Sequence, residues 1–258
     1  MSSAPFPRTL IRLLAAALLC ILLGGWELAV RQTGISALVL PAPSAVALTL
    51  WNSLASGYLW PHIGVTLAEM LLGLLLGGAA GLGMGIALAE SPLLDGLLKP
   101  YVILSQVVPK LALAPLFVLW FGFGMLPTVI MTALICFFPL MENTLTALRQ
   151  VDANRLQLFA MLGASRTQTL LRLKLPAGLP GILAGLRVAL VLALVGAVVG
   201  EFIGASSGLG AVIIAAQGMM DTPLMFAALT AIALIGLLCY QATLALEQRL
   251  LRPYTELS

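Results

Sequence analysis

Charged side chains are scarce in this sequence. Lysine and arginine number 13 and aspartate and glutamate 10, or 9% of 258 residues, whereas soluble domains carry roughly 25%. With 61% hydrophobic residues and a mean hydropathy of +1.09, the chain has too little polar surface to face water on all sides. The composition therefore excludes an ordinary soluble domain and predicts an all-α membrane protein whose solvent is lipid.

Other scarce residue types exclude classes of site. The single histidine, His62, stands at a predicted membrane boundary without a cluster of metal-ligand residues around it, so we expect no metal site. Cys20, Cys136 and Cys239 all fall inside apolar stretches, which indicates no disulfide framework. No G-x-x-x-x-G-K-[ST] phosphate-binding loop occurs, so ATP hydrolysis is not expected on this chain. We expect no catalytic residue, no cofactor and no nucleic-acid partner.

One short motif imitates a hydrolase. Residues 204–208, GASSG, fit the G-x-S-x-G nucleophile pattern. That pattern needs a supporting base, and His62 lies about 140 residues upstream on a different predicted element. We interpret 204–208 as a glycine-rich turn and reject serine hydrolysis.

Six apolar windows are long enough to cross a bilayer, which requires about 20 residues each. The third window contains Pro109, Lys110 and Pro115. The loops between windows are short, so the chain forms one membrane domain. The windows are 10–30, 63–89, 102–121, 125–147, 182–203 and 224–246.

The first window also has features of a secretory signal peptide. Arg8 and Arg12 precede its apolar core, and Cys20 suggests a lipoprotein site. Leu19, however, stands where a small residue is needed, and no small-x-small site ends the core. We predict an uncleaved membrane anchor.

The distribution of basic residues predicts the topology. With the N-terminus inside, ten of the 13 basic residues lie in or beside the inner segments, and only Arg31 is clearly outside. Both termini are therefore predicted to be cytoplasmic, and 148–181 is the largest cytoplasmic loop. The inner segments are 1–9, 90–101, 148–181 and 247–258.

Within that loop, residues 153–176 are basic and contain helix boundary signals. Ser165 followed by Gln168 has the form of a capping box, which begins a helix. Gly163 suits a break before it, and Pro176 and Pro180 are expected to stop helical continuation. The pattern predicts two short helices over 153–175, joined at Gly163-Ala164-Ser165. The segment carries Arg155, Arg166, Arg172 and Lys174.

Two functions fit this basic segment. Apolar residues alternate with the charges, which is typical of an amphipathic helix lying on anionic lipid. The other interpretation is a docking surface for a cytoplasmic partner.

Four motifs resemble a transporter family. Gly163 is followed by nine residues and then LKLP, 173–176, which resembles the EAA loop of ABC importer permeases. The loop departs from that pattern at Gln157-Leu158-Phe159, where the family has Glu-Ala-Ala. The resemblance covers about 60–248 and fits the nitrate/sulfonate/taurine-like subgroup. Its other motifs are VPKLALAPLFVLWFGFG (108–124), FFPLMENTLTALRQVD (137–152) and GEFIGASSGLG (200–210).

The resemblance implies an architecture. The fold would be the type I ABC importer transmembrane fold, with about six helices and a permease domain over 61–248. Residues 1–60 would hold a cytoplasmic tail, the first span and an outer loop, and 249–258 a second cytoplasmic tail. The 153–176 loop would dock an ATPase subunit. Its contact residues would be Gln157, Gly163, Ala164, Ser165, Arg166, Leu173, Leu175 and Pro176.

The resemblance also implies a function: ATP-driven import of a small organic or anionic solute by alternating access across the bacterial inner membrane. The partners would be ATPase subunits that bind ATP and magnesium, an extracytoplasmic solute-binding protein, a second permease copy and membrane lipid. Sulfonate, taurine or nitrate is one class of substrate. Glu69 and the VPKLALAPLF stretch favour the other class, a pyrimidine or a riboflavin-like heterocycle.

Two runs of glycine at a four-residue step predict helix packing. Such a step keeps small residues on one helix face and lets two backbones approach closely. The face either packs tightly or allows helices to slide during opening. The runs are Gly73, Gly77, Gly81 and Gly85 in the second window, and Gly196, Gly200 and Gly204 in the fifth.

Ionisable residues at membrane depth are candidates for the translocation path, because burying charge in lipid is costly. We assign Glu69, Lys110 and Glu201 to that path and expect Glu201 to face a cavity. Glu142 lies nearer the inner end and is interpreted as a partner of loop arginines. The alternative function is a secondary transporter that uses Glu69, Glu142 or Glu201 as a proton or sodium site.

Overall fold

The computed structural model describes residues 7–255, without the side chains of Arg8, Arg12 and 252–255. Within that range all regular structure is helical, so the all-α prediction is confirmed. A 3-10 turn, Lys110–Leu113, and a π-helical segment, Leu170–Lys174, connect some of the α-helices. The α-helices are α1 Arg8–Thr33, α2 Pro43–Ala55, α3 Leu59–Glu90, α4 Pro92–Val107, α5 Ala114–Phe121, α6 Met125–Arg149, α7 Ala153–Met161, α8 Arg166–Thr169, α9 Leu175–Gly204, α10 Leu209–Gly218 and α11 Thr222–Thr255.

Five of these helical stretches are long and apolar enough to cross a membrane: α1, α3, α6, α11 and the continuous stretch from α8 to α9. A sixth span exists if α4 and the stretch Lys110–Phe121 count as one broken span. The third window, 102–121, is not one straight helix, because the chain bends by 79° between those two pieces. Pro109 causes the break: it cannot donate a backbone hydrogen bond, and it holds Val108 in an extended conformation.

The prediction that Pro176 and Pro180 stop the helix is also wrong. Arg166–Gly204 forms one helical stretch of 39 residues that passes both prolines. The π-helical segment directly before Pro176 changes the hydrogen-bond register, which accommodates the missing donor. Pro180 has an exposed side chain, where the preceding carbonyls can tilt outward.

Two outer helices were not predicted from the apolar windows. α2 and α10 are each too short to cross a bilayer, and both pack against α11. α2 also ties α1 to the bundle, because Glu27 on α1 accepts hydrogen bonds from the backbone N–H (3.0 Å) and hydroxyl (2.8 Å) of Ser44. α1 is otherwise exposed on most of its length, as expected for a helix that faces lipid.

α6 lies at the centre of the bundle, between α3 and α9. The four glycines of the first run, Gly73 to Gly85, are all buried on the face of α3 that contacts α6. A Cβ atom at Gly77 would lie 2.7 Å from the carbonyl carbon and the Cα of Ala133. At Gly85 it would lie 2.6 Å from the carbonyl oxygen of Met141. The two helices are therefore in close contact over more than three turns of α3.

The second glycine run makes the equivalent contact from α9. A Cβ at Gly196 would lie 3.1 Å from the Cα of Thr132, and one at Gly200 would lie 2.7 Å from Cγ2 of Thr128. Thr128 and Thr132 both belong to α6, so the two glycine faces hold this helix from both sides. The third glycine of the run, Gly204, faces α5 instead, with Val118 as its neighbour.

Ion pairs join the helix ends near the basic loop. These pairs cross between elements that are distant in sequence, so they fix the relative positions of α3, α4, α6 and the start of α9. The pairs are Lys174–Glu90 (2.6 Å), Arg149–Asp95 (2.9 Å) and, between α9 and α11, Arg187–Glu247 (3.0 Å).

Candidate functional site

The basic loop contains a helix, α7, with well-defined ends. Asp152 caps its start, because one side-chain oxygen accepts hydrogen bonds from the backbone N–H groups of Asn154 (2.6 Å) and Arg155 (3.4 Å). Its end is a Schellman motif, in which the N–H of Gly163 donates to Ala160 and that of Ala164 to Phe159. Gly163 has a φ of 71°, the left-handed conformation that this motif requires.

The next helix begins at Ser165 with the predicted capping box, which is confirmed. The Gln168 N–H donates to the Ser165 hydroxyl oxygen (3.2 Å), and the Ser165 N–H donates to the Gln168 side-chain oxygen (2.8 Å). The Schellman motif and the capping box are adjacent in sequence. Together they fix the angle between α7 and the long helix that follows.

The surface of this loop is both apolar and basic. Met161 is 80% exposed, Leu162 73% and Leu171 58%. Arg155 and Arg172 are exposed beside them. Met161 and Leu162 lie outside the stretches long enough to cross a membrane, and apolar side chains this open there indicate a binding surface.

The predicted ATPase-contact residues divide into a surface group and an anchoring group. Gln157, Gly163, Ser165 and Arg166 are exposed, whereas Ala164, Leu175 and Pro176 are half-buried. Leu173 is only 8% exposed, so it holds the loop to the bundle. The neighbouring Lys174 has the same role, because its ammonium group pairs with Glu90 at the end of α3.

A second polar cluster lies where α10 begins. The Glu201 carboxylate accepts hydrogen bonds from the Thr66 hydroxyl (2.6 Å) and from the backbone N–H of Gly210. The Thr66 oxygen in turn accepts from the N–H of Leu209 (2.8 Å). A carboxylate at a helix N-terminus is favourable, because the free N–H groups there carry partial positive charge.

This cluster changes the interpretation of the two buried glutamates. Glu69 and Glu201 are each 1% exposed and lie between helices, so the expectation that Glu201 faces a cavity is wrong. The Glu201 carboxylate joins α3, α9 and α10. The place of both glutamates on the translocation path remains a prediction.

His62 also takes part in this junction, which the sequence did not indicate. Its Nδ1 accepts a hydrogen bond from the backbone N–H of Gly208 (3.1 Å). Gly208 has a φ of 112°, and a Cβ there would collide with the Glu201 carboxyl group. The GASSG turn therefore uses its last glycine to admit the carboxylate, and the histidine secures the turn.

Lys110 is the predicted path residue that borders a cavity. The cavity has a volume of about 680 Å³ and lies between the break in the third span and helices α6 and α9. Glu142 lines the same cavity and forms no ion pair with any basic side chain that the structure describes. The interpretation of Glu142 as a partner of loop arginines is therefore wrong.

Comparison with known proteins gives consistent relatives. Residues 73–252 match the family model described as binding-protein-dependent transport system inner membrane component. The chain is 41% identical over 234 residues to the riboflavin transport system permease protein RibX of Chloroflexus aurantiacus, covering 91% of this chain and 87% of that protein. It is 34% identical over 242 residues to the taurine transport system permease protein TauC of Escherichia coli, covering 92% and 88%.

Other similarities point the same way. The formylaminopyrimidine transport permease protein ThiX of Halalkalibacterium halodurans is 34% identical over 226 residues, which cover 88% of this chain and 90% of that protein. Among solved structures, an inward-facing form of the MetNI methionine ABC transporter superposes with a TM-score of 0.65 at 19% identity. The superposition covers 73% of this chain and 94% of that chain. The predicted type I importer fold is confirmed.

Proposed function

This chain belongs to the family of binding-protein-dependent transport system inner membrane components, and we propose that it imports a small solute by alternating access. It is an ABC importer permease subunit, embedded in the membrane through several spans. The chain has no P-loop, so the energy comes from a separate ATPase subunit that binds ATP and magnesium.

The observation that carries this proposal is the surface of the 153–176 loop. It presents open apolar side chains, among them Met161 and Leu162, next to exposed arginines. An apolar centre with a charged border suits a protein partner. A helix lying on lipid would bury one continuous apolar face in the membrane, whereas Met161 and Leu162 lie at the turn between α7 and α8.

The loop is built to transmit movement. The segment after Gly163 is continuous with α9, so a displacement at Arg166 reaches the membrane without an intervening flexible loop. The Lys174–Glu90 pair links the same segment to α3. Movement of a docked ATPase would therefore reorient both helices, because ATP binding and hydrolysis favour different arrangements of the contact.

We infer the remaining assembly from the same family membership. Two permease copies form the pore, two ATPase subunits dock on their loops, and an extracytoplasmic binding protein delivers the solute. The protein lies in the bacterial inner membrane. The charge bias of the loops supports a cytoplasmic position for both termini.

The substrate lies within two classes. Relatives of this chain are named for riboflavin, formylaminopyrimidine, taurine and aliphatic sulfonates. The first two compounds are heterocycles and the last two carry a sulfonate group.

The energy source distinguishes the alternative function. A secondary transporter would show uptake that follows an ion gradient, whereas an ABC importer needs ATP and the ATPase subunit.

The test replaces Gly163 by valine. A β-branched residue in the left-handed conformation costs roughly 1–2 kcal/mol, and the backbone relieves the strain by leaving it. We expect Gly163→Val to insert normally but to lose co-purification with the ATPase or substrate-stimulated ATP hydrolysis in proteoliposomes.

Gly163→Asn is the matched control, because asparagine tolerates the left-handed region. No atom lies within 4 Å of a Cβ placed at Gly163, so backbone conformation separates the two variants and steric collision does not. We expect Gly163→Asn to retain coupling. Normal coupling in Gly163→Val would contradict the assignment of the docking loop.

A further inference from the structure

The cavity beside Lys110 has the size and composition of a small-molecule site. Its volume of about 680 Å³ lies within the range of roughly 300–1,000 Å³ that is usual for ligand pockets. Its walls are mostly apolar, with four polar side chains among them. The apolar walls include Ile135, Phe138, Leu192 and Val195, and the polar side chains are Gln106, Lys110, Glu142 and Asn143.

Lys110 supplies a hydrogen-bond donor without a carboxylate partner. It begins the 3-10 turn at the break in the third span, where the bend turns it toward the bundle. Its ammonium group lies 4.3 Å from the ring centroid of Phe138, a cation–π contact. It forms no ion pair with any acidic side chain in the described part of the chain. A half-buried ammonium so placed can donate to a ligand.

The neighbouring turn of α6 supplies acceptors. The Asn143 side-chain N–H donates to the carbonyl of Pro139 (2.8 Å), which leaves its side-chain oxygen free to accept from a ligand. Glu142, next to it in sequence, adds a carboxylate to the same cavity. The polar groups therefore offer a donor from one wall and acceptors from another.

We propose that this cavity binds the transported solute within the membrane and selects a flat, neutral heterocycle with carbonyl and N–H groups along its edge. This inference rests on the proposed function and narrows its substrate class. A ring carbonyl accepts from Lys110, a ring or exocyclic N–H donates to Glu142 or Asn143, and the ring faces contact the apolar walls. An alkanesulfonate fits poorly, because Glu142 repels its charge and the cavity offers it one cationic donor.

Binding of defined probes to the purified full-length permease in nanodiscs tests this proposal. The probes are riboflavin, followed by its fluorescence, and radiolabelled uracil and ethanesulfonate, a sulfonate without an ammonium group that could pair with Glu142. We expect at least one heterocycle to bind and ethanesulfonate not to bind. Lys110→Met and Glu142→Gln should each raise the dissociation constant at least about tenfold, since each removes one charge-assisted hydrogen bond.

Lys99→Met is the matched control. Lys99 is an exposed lysine on α4 outside this cavity, so its replacement should leave binding unchanged. A melting scan of each variant confirms that the fold is intact. Ethanesulfonate binding, binding of neither heterocycle, or equal affinity in wild type and Lys110→Met would overturn the proposal.

The same preparations separate this inference from the proposed function. Co-purification with the ATPase and ATP-dependent hydrolysis depend on the 153–176 loop, which lies away from the cavity. A permease that couples to its ATPase but fails the probe test contradicts the binding site alone. A permease that binds the heterocycle but neither co-purifies with an ATPase subunit nor stimulates its hydrolysis contradicts the proposed energy source alone.

Discussion

Replacement of Gly77 by alanine should destabilise this protein, although alanine is ordinarily the better helix residue. Gly77 lies on α3 where the backbone of α6 approaches most closely. A methyl group there would lie 2.7 Å from the carbonyl carbon and the Cα of Ala133, whereas ordinary van der Waals contact begins at 3.4 Å. These neighbours are backbone atoms, so no side chain can rotate away to make room.

The magnitude follows from two opposing effects. The helices must separate locally by at least about 0.7 Å, the difference between those two distances. Overpacking costs about 1–3 kcal/mol, and we place this case at about 2–3 kcal/mol, because the carbonyl oxygen of Ala133 lies closer still and cannot rotate away. The gain in helix propensity from glycine to alanine offsets about 1 kcal/mol of that cost. We expect a net loss of about 1–2 kcal/mol, or about 2–8 °C in melting temperature for a chain of this size.

Gly83→Ala is the matched control on the same helix. Nothing lies within 4 Å of a Cβ at Gly83, so only the propensity effect applies. This variant should melt at the wild-type temperature or a few degrees above it.

Thermal denaturation of the purified permease, followed by fluorescence-detected gel filtration, measures both variants under one condition. The same substitution should lower the melting temperature at Gly77 and leave it unchanged or raise it at Gly83, six residues away. If Gly77→Ala melts together with Gly83→Ala, α3 and α6 are not in backbone contact, and the packing described here is incorrect.

Two further predictions concern the loop and the α10 junction. A cysteine placed at Gln168, in a variant without native cysteines, should react with an impermeant thiol reagent only after cells are permeabilised; labelling of intact cells would refute the topology. Glu201→Ala should lower the melting temperature more than Glu201→Gln, because alanine leaves the Thr66 hydroxyl and the Gly210 N–H without an acceptor. Each unpaired buried donor costs about 1–3 kcal/mol. Equal melting temperatures of the two variants would show that the carboxyl oxygens do not hold the junction.

Features that depend on local sequence could be predicted from the sequence. The apolar windows, apart from the third, lie in helices that can span the membrane, because length and hydropathy decide whether a helix is stable in lipid. The capping box at Ser165 also formed as predicted, since both of its hydrogen bonds join residues three apart. The glycine step of four indicated which face of α3 could accept a neighbour, but it did not identify α6 as that neighbour.

Proline showed the limits of local rules. Pro109 breaks the third span and bends it by 79°, whereas Pro176 and Pro180 lie inside a continuous helix of 39 residues. The difference lies in the surroundings. A π-helical segment precedes Pro176, and Lys174 is anchored to Glu90 on another helix. Whether a proline kinks a helix depends on the hydrogen bonds and packing around its ring. These contacts come from the tertiary structure and cannot be read from the sequence.

The polar groups at membrane depth were decided by tertiary structure. Glu201 on α9 is separated by more than 130 residues from Thr66 and His62 on α3, yet the three side chains meet at the N-terminus of α10. From sequence, a buried carboxylate indicates only that it needs partners, because burying it alone is costly. Folding determines whether a carboxylate finds such partners. Glu201 accepts a hydrogen bond from a backbone N–H group, whereas Glu142 lines an open cavity. Composition and periodicity determined that this chain spans a membrane; the meeting of distant helices determined which of its charges are satisfied internally and which face the cavity.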